Sequence, residues 1–233
     1  MIDSMYTRHA EDYAQAIRDN VYNGLLERPS MLSMLPELQD KKILDLGCGP
    51  GAYCRHFIEQ GAIVRATDRS AEMVELVQRE FGEKVSAYQH DLAHGLKEES
   101  SQSIDLIVCP LTIHYLNDLM PLFSDVRRVL KDDGSFFFST HHPMVDFSAS
   151  PSGNYFKKEL ITEEWDTIGK PVEVQFFRRS LTELFRSVSE AGLYVARLEE
   201  GKPAEAMKDR HPDDFAWLST HPNFIFFECK KLD

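Results

Sequence analysis

The chain has 233 residues, of which 42% are hydrophobic, enough apolar material to bury one sizeable core. Its 26 Lys and Arg residues against 38 Asp and Glu residues give a net charge of -12. This charge opposes attraction to nucleic-acid phosphates and to anionic membrane surfaces. We therefore expect a single domain with neither a nucleic-acid partner nor a membrane partner.

The amino-terminal stretch MIDSMYTRHAEDYAQA is charged throughout and lacks the apolar region of a signal peptide. No later run approaches the roughly 18 apolar residues of a membrane span. The four cysteines are scattered without a C-x-x-C pair, which argues against a zinc site and a disulfide framework. The sequence thus predicts a cytoplasmic protein with reduced thiols and no metal.

Short apolar runs alternate with helical patterns between residues 41 and 140. Apolar residues at helical spacing begin near Met73 and Leu119, and again later near Leu181. The predicted strands are KILDL, AIVRAT, KVSAYQ, IDLIVC and SFFFST, and the turn KDDG at 131–134 separates the second helix from the last of them. This alternation predicts βαβ units, and hence a parallel sheet with helices on both faces.

The pattern changes after residue 140. The segment from 141 to 179 has prolines, glycines and aromatic residues without a helical period, which predicts a loop with short irregular strands. A helix near 181–191 follows, then a strand, the polar loop GKPAEAMKDRHPDD and a last strand, NFIFFECKKL. This ending is typical of a β-hairpin with a long connection, and loops of this length are more often functional than idle.

The stretch GCGPGA after the first strand suits a ligand at a βα turn, because glycines let the backbone approach it closely. Positions 47, 49 and 52 also fit the G-x-G-x-x-A spelling of a dinucleotide site, and a tight turn without a ligand is the plain alternative. Asp68, 21 residues after Gly47, suits a ribose diol. Asp45 lies in a buried strand, where a carboxylate needs a partner, so the ligand is expected to be cationic near the glycines.

The motifs ILDLGCGPG, ATDRS, QHDLAHGL and IDLIVCPLTIHYL closely resemble those of class I S-adenosylmethionine-dependent methyltransferases across residues 40–140. The resemblance implies an α/β, Rossmann-like sheet of seven mostly parallel strands, with helices on both faces and an antiparallel last strand between the fifth and sixth. It implies a single domain in three parts: a helical cap or lid at 1–39, a cofactor-binding core at 40–140, and an acceptor-side loop, helix and terminal hairpin at 141–233.

The resemblance also implies S-adenosyl-L-methionine as cofactor and assigns its contacts. The glycine turn would lie against the methionyl part, Asp45 near its ammonium, Asp68 at the ribose and Asp91 at the adenine edge. An amino-terminal lid would place Tyr22 over the adenosine and Arg28 at the methionyl carboxylate, unless this segment is a plain surface helix. The predicted cofactor residues are Tyr22, Arg28, Asp45, Gly47, Cys48, Gly49, Gly51, Asp68, Arg69, Met73, Asp91, Leu92, Pro110 and Leu111.

The acceptor is expected to be a small molecule with an O, N or C nucleophile. The stretch CPLTIH stands where methyltransferases of base amines or glutamine amides carry an Asn- or Asp-Pro-Pro-Tyr-like motif. His114 and His142 follow strand ends that face the acceptor side and are the predicted catalytic bases. For each, the alternative is a structural hydrogen bond, and an acceptor that is already a free nucleophile needs no base at all.

Two other functions are compatible with the glycine turn and the acid at its predicted ribose position. A non-catalytic protein that binds S-adenosylmethionine or S-adenosylhomocysteine would share the cofactor half. A nicotinamide-dependent oxidoreductase would share the G-x-G-x-x-A spelling, but that motif expects an apolar residue where Asp45 stands. The aromatic loop with Tyr155, Phe156 and Trp165 is either a substrate lid or a satellite core, and the expected assembly is a monomer or a homodimer.

Overall fold

A computed structural model describes residues 5–232; residues 1–4 of the predicted cap and residue 233 lie outside the described residues. A seven-stranded sheet forms the centre of the fold. Its strands are β1 Lys42–Leu46, β2 Ile63–Asp68, β3 Val85–Gln89, β4 Ile104–Cys109, β5 Leu130–His141, β8 Leu193–Glu199 and β9 Phe224–Lys231. Between β5 and β8 in the chain lie β6 Glu159–Trp165 and β7 Val172–Arg178, which pair only with each other in the described structure.

The strand order across the large sheet is β3-β2-β1-β4-β5-β9-β8. Neighbours from β3 to β5 pair in parallel, whereas β9 is antiparallel to both β5 and β8. The antiparallel last strand therefore lies between the fifth and sixth strands of this sheet. This confirms the predicted Rossmann-like fold.

Helices cover both faces of the sheet because each has one apolar side. Phe57 and Val77 pack into one buried cluster with Ile43 of β1, and Phe123 and Val188 pack into a second cluster on the other face. The helices are α1 Ala10–Ala16, α2 Arg28–Met34, α3 Ala52–Glu59, α4 Ala71–Phe81, α5 Met120–Val129, α6 Pro143–Asp146, α7 Leu181–Glu190, α8 Ala206–Arg210 and α9 Pro212–Leu218. This burial against the sheet supplies most of the driving force for the layered fold.

Two local predictions were wrong. The segment KDDG is not a turn before the strand, because β5 already begins at Leu130 and pairs there with Ile104, with a register shift before the next pair. The predicted polar loop before β9 contains the helices α8 and α9. Pro212 occupies the first turn of α9, where its missing N–H leaves no helical hydrogen bond unmade.

The segment predicted as irregular strands forms a regular antiparallel hairpin from β6 and β7. Arg178 at the end of β7 is fully buried, and its Nε donates to Glu159 Oε2 at 2.9 Å. The same guanidinium donates to backbone carbonyls of the chain that precedes β6, including that of Lys157. This buried ion pair fixes the two ends of the hairpin against each other.

The amino-terminal segment packs on the β6–β7 hairpin. Met5 is buried in a small apolar cluster with Val172 and Val174 of β7. Asp12 of α1 forms an ion pair with Lys170 at 3.3 Å. Within residues 5–232, no helix combines the length and the apolar character needed to cross a membrane.

Candidate functional site

A cavity of about 370 Å³ lies beyond the carboxyl ends of strands β1 to β4. We call it the glycine-loop cavity, because the turn after β1 forms one of its walls. Ligands of open parallel sheets bind at this edge. Ten of the predicted cofactor residues line it: Arg28, Gly47, Cys48, Gly49, Asp68, Arg69, Asp91, Leu92, Pro110 and Leu111.

Two glycines of the turn hold left-handed backbone angles, with φ of +68° at Gly47 and +52° at Gly49. A Cβ at Gly47 would collide with the side chain of Thr112, whereas one at Gly49 would meet no atom within 4 Å in the described chain. Gly49 therefore faces open space in the cavity. A ligand can approach the backbone there in a way that any side chain would obstruct.

Asp68 at the end of β2 holds the glycine turn in place. Its Oδ2 accepts a hydrogen bond from Gly49 N at 2.9 Å, and its Oδ1 accepts one from Ser70 N at 2.9 Å. These backbone donors orient a carboxylate that also lines the cavity. A carboxylate has about four lone-pair sites, so it can hold the turn and bind a ligand diol together.

Leu111 borders the cavity in a strained backbone conformation, with φ of +43°, which is uncommon for a residue with a side chain. Its N–H donates to Ser139 Oγ at 3.0 Å, so the neighbouring strand β5 supports the strained turn. Strain of this kind clusters at functional sites.

Arg28 enters the cavity wall from the amino-terminal segment. Its Nη2 donates to Ile17 O at 2.7 Å, and its Nη1 donates to Arg18 O at 3.3 Å. Its Nε is buried and has no hydrogen-bond partner among the described residues. A buried N–H without a partner is costly, so an anionic ligand group would be favoured beside it.

Glu27 is a site residue that sequence reasoning missed. It ends a turn of π-helix, Asn23–Glu27, lines the cavity and is 2% exposed. Its Oε2 accepts from Tyr53 Oη at 2.8 Å and its Oε1 accepts from Ser139 Oγ at 2.7 Å. Burial raises the pKa of Glu27 to about 7. A cationic ligand group would favour the ionised carboxylate.

Replacing Glu27 by glutamine removes a carboxyl whose pKa is raised from 4.5 to about 7 in the fold. A raised folded-state pKa makes the wild type lose stability as the pH rises from about 4.5 to about 7, and the variant escapes this loss. We therefore expect the unfolding free energy of Glu27→Gln, relative to that of the wild type, to rise by about 3 kcal/mol between about pH 4 and pH 8. Urea unfolding without ligand measures this gain.

The exposed residue Glu190 on α7 provides the matched control for this measurement. Glu190→Gln makes the same chemical change in water and should show no comparable gain with pH. An equal gain in both variants would contradict the burial of an unfavourable carboxylate at Glu27.

Asp45 lies behind the glycine turn and is fully buried outside the cavity lining. Its Oδ2 accepts a weak hydrogen bond from Cys54 Sγ at 3.4 Å, and its Oδ1 has no partner among the described side chains and backbone. Burial raises the pKa of Asp45 to about 7. The sequence predicted that Asp45 would be a buried carboxylate in need of a partner. The structure confirms that the carboxylate is buried and that one of its oxygens lacks a hydrogen-bond partner among the described residues.

Three predicted cofactor residues lie elsewhere. Tyr22 is half-exposed and packs edge-on against Phe224 at 6.5 Å, so the structure does not bring it into the glycine-loop cavity. Gly51 faces the ring of Phe81 on α4. Met73 is fully buried in α4. The resemblance implied Tyr22 as a cover for the adenosine, but Tyr22 precedes the π-helical turn Asn23–Glu27 and lines the second cavity described below.

A second cavity of about 680 Å³ lies beside the first. We call it the histidine cavity, because His114 and His141 line it. The two cavities share wall residues, so they adjoin one another. The shared residues are Tyr6, Tyr13, Asn23, Leu111 and Tyr115.

His141 at the end of β5 pairs with Asp146 of α6, with 3.2 Å between Nδ1 and Oδ1. A carboxylate at Nδ1 favours the tautomer with its proton on that nitrogen, which leaves a lone pair on Nε2. An imidazole oriented in this way is suited to accept a proton from a ligand in the cavity. His141 follows the same strand end as His142, but it was not among the predicted catalytic residues.

His114 contributes to the wall of the histidine cavity, although its side chain is almost completely buried. Its ring stacks on that of His141 with 4.1 Å between centroids, and its Nδ1 lies 3.3 Å from Thr140 Oγ1. Burial, with smaller contributions from His141 and Arg179, lowers the pKa of His114 well below its usual range. His114 is therefore neutral and supports the ring of His141.

His142, the second predicted base, lines neither cavity as far as residues 5–232 define them. Its Nδ1 accepts from Met144 N at 3.3 Å and caps α6, and its Nε2 lies 3.0 Å from Glu200 Oε1. Both ring nitrogens therefore have partners in the fold. The arrangement corrects the prediction for His142, since its contacts are those of a structural residue.

A metal centre is not evident in the described chain, where no three His, Cys, Asp or Glu side chains are grouped to hold an ion. Trp165 at the end of β6 faces the histidine cavity, with its ring 5.6 Å from that of His141. Phe156 is largely exposed, and neither it nor Tyr155 lines either of the two cavities, whereas Trp165 lines the histidine cavity.

The sequence matches a family described as "Methyltransferase domain" over residues 44–138. It is 27% identical to an uncharacterized protein of Haemophilus influenzae across 91% of this chain and 89% of that protein. It is also 27% identical to a ubiquinone biosynthesis O-methyltransferase of Saccharophagus degradans across 67% of this chain and 70% of that protein.

Two solved structures share the fold. An S-adenosylmethionine-dependent methyltransferase of Mesorhizobium loti is 25% identical with a TM-score of 0.70, over 88% of this chain and 97% of that chain. The 1,6-didemethyltoxoflavin-N1-methyltransferase of Burkholderia thailandensis was solved with 1,6-didemethyltoxoflavin and S-adenosylhomocysteine bound. It is 16% identical with a TM-score of 0.61, over 97% of this chain and 88% of that chain.

Proposed function

Because the chain belongs to the class I S-adenosylmethionine-dependent methyltransferases, we propose that it methylates a small-molecule acceptor held in the histidine cavity. S-adenosylmethionine is the cofactor, and when bound it supplies a methyl group on a positively charged sulfur. The observation that carries the proposal is the wall that the two cavities share, since methyl transfer needs the acceptor to adjoin the donor.

The glycine-loop cavity carries groups that suit each part of the cofactor. Arg28, with its unpartnered Nε, would hold the methionyl carboxylate, and Glu27 would meet the ammonium with Asp45 behind it. Asp68 would hold the ribose diol, and Asp91 and Leu92 would border the adenine. The charges of these residues complement those of the cofactor.

In the histidine cavity, we assign the general base to His141 rather than to His114 or His142. His141 lines the cavity and is oriented by Asp146, whereas His114 is neutral and stacked behind it. His141 Nε2 would accept the proton of the acceptor, and Asp146 would stabilise the imidazolium that results. The shared tyrosine wall would exclude water from the reacting atoms.

The test has two measurements on the full chain. Calorimetry with S-adenosylmethionine, S-adenosylhomocysteine and NAD should show binding of the first two and none of NAD. The chain is then incubated with cell extract and methyl-labelled cofactor, and the extract is separated into metabolites, protein and nucleic acid. Label in the metabolite fraction supports the proposal. Label in protein or nucleic acid, or in no fraction, contradicts the small-molecule acceptor.

We further propose that the amino-terminal segment is a lid over the cofactor. It contributes Tyr6, Tyr13, Glu27 and Arg28 to the cavity wall. Segments that open for ligands have low local stability, so binding should order them. We expect amide hydrogen exchange across residues 6–30 to slow when S-adenosylhomocysteine binds. Equal exchange rates in the free and bound chain would instead indicate a permanently ordered surface segment.

A further inference from the structure

We propose that the methyl acceptor is an amine that is protonated at neutral pH and is attached to a flat apolar ring. This inference rests on the proposed function, in which the histidine cavity holds the acceptor. The charge and the aromatic surfaces of that cavity indicate this chemical class of acceptor.

The charge of the histidine cavity is negative. Four carboxylate residues line it, and no Lys or Arg is among the lining residues that the structure describes. Its basic side chains are histidines, and His114 is held neutral by burial. The carboxylate residues are Asp146, Glu163, Glu164 and Asp166. An anionic acceptor would lose its hydration there without gaining a permanent cation, whereas an ammonium would meet carboxylates.

The neighbouring glycine-loop cavity shows that this charge is a local feature. That cavity also has carboxylate residues in its wall, but it differs from the histidine cavity in having two guanidinium groups, those of Arg28 and Arg69. The carboxylate residues of its wall are Glu27, Asp68, Asp91 and Glu173. Arg28 is the group that the proposed function places at the methionyl carboxylate, and Arg69 lies 3.9 Å from Asp91, whereas no guanidinium group lines the adjoining histidine cavity in the described chain. The overall charge of -12 does not account for such a division between two cavities that share a wall.

The walls of the histidine cavity are aromatic. Trp165 is fixed by a hydrogen bond from its Nε1 to Glu163 Oε2 at 3.0 Å, which sets a carboxylate beside the indole ring. Phe224 and Tyr115 provide further aromatic surfaces. Aromatic faces attract cations and also stack on flat rings, and a volume of about 680 Å³ is large enough for a ring-sized ligand.

The His141–Asp146 pair supplies what such an acceptor requires. An ammonium has no lone pair, so it must first give a proton to a base, and His141 Nε2 is positioned to receive it. The freed nitrogen lone pair forms the new bond to the methyl carbon. The carbon–sulfur bond breaks as that bond forms, and its electron pair stays on the sulfur.

The test compares three probes of one shape and different charge: tryptamine, indole-3-propionate and the neutral 3-ethylindole. Their affinities for the full chain with S-adenosylhomocysteine bound are measured by calorimetry at physiological ionic strength. We expect tryptamine to bind at least about tenfold more tightly than indole-3-propionate, a difference of about 1.4 kcal/mol. Equal affinities, tighter binding of the carboxylate, or no binding by any probe would overturn the proposal.

A variant tests whether the Glu163 carboxylate causes the preference for tryptamine. Glu163→Gln keeps an oxygen acceptor for the Trp165 N–H but removes the charge, so it should weaken tryptamine binding about threefold or more and leave 3-ethylindole unchanged. Glu190→Gln on the exposed face of α7 is the control and should change neither. An unchanged tryptamine preference in Glu163→Gln would count against the proposal.

Failure of this inference is distinguishable from failure of the proposed function, because probe binding requires no turnover. Label that enters metabolites, combined with a preference for indole-3-propionate, would overturn the amine and leave the methyl transfer in place. A preference for tryptamine without labelled metabolites would support the cationic site and contradict small-molecule methylation.

Discussion

Replacing His141 by alanine should lower the turnover number about a hundredfold to ten-thousandfold, the range for loss of a general base. The dissociation constant of S-adenosylmethionine should stay unchanged, since His141 lines only the histidine cavity of the two. The measurement is steady-state methyl transfer to an acceptor found in the extract experiment, with cofactor affinity measured in parallel.

Two variants sharpen the assignment of His141. Asp146→Asn should also reduce turnover, because the carboxylate that orients Nδ1 is lost. His142→Ala should lower the melting temperature and reduce activity only in proportion to the folded fraction, because its ring caps α6. Full turnover in His141→Ala would mean that the enzyme works by alignment alone.

Replacing Asp68 by alanine should weaken S-adenosylmethionine binding about tenfold to a hundredfold, which corresponds to roughly 1.5 to 3 kcal/mol for hydrogen bonds to a charged group. The structure adds a second cause, because the carboxylate also accepts hydrogen bonds from Gly49 N and Ser70 N. Calorimetry on the wild type and the variant measures the change. An unchanged dissociation constant in a folded variant would remove Asp68 from the cofactor site.

A comparison of two nucleosides separates the loss of the ribose contact from the loss of support for the glycine turn. If Asp68 holds the ribose diol, the wild type should bind adenosine more tightly than 2′-deoxyadenosine, and Asp68→Ala should lose this difference. If Asp68 only supports the glycine turn, both nucleosides should weaken equally. Asp132→Ala, at an exposed position of β5, is the control and should bind both as the wild type does.

The sequence predicted those elements whose apolar pattern repeats over enough residues. The strands and helices from 41 to 140 have such patterns, and so does α7. Helices α8 and α9 were missed because five and seven residues are too few to show a helical period. The β6–β7 hairpin was seen only as irregular strands, because charged residues such as Glu163 and Glu164 obscure its alternation.

The residues of the candidate site likewise fall into those that local sequence spacing could predict and those that it could not. The glycine turn and Asp68 could be located because their roles depend on spacing along a single βα unit. Glu27 gave no local signal, since its partners Tyr53 and Ser139 lie 26 and 112 residues away. His141 was not among the predicted catalytic residues because the sequence does not show its pairing with Asp146. That pairing forms only when α6 brings the Asp146 carboxylate back to the end of β5.

The β6–β7 hairpin pairs with no strand of the central sheet in the described structure, yet it lines both cavities. Glu163 and Trp165 of β6 line the histidine cavity, and Val174 and Gln175 of β7 line the glycine-loop cavity. Substitutions on β6 are therefore expected to alter acceptor preference without disturbing the hydrogen bonds that hold Asp68 and the glycine turn, whereas substitutions on β7 would also reach the cofactor side. Because the residues that would contact the acceptor are separate from those that hold the glycine turn, acceptor preference is able to change during evolution. Selection on β6 can change one specificity while the machinery for the other stays intact, and a protein engineer could use β6, rather than β7, as the first segment to randomise.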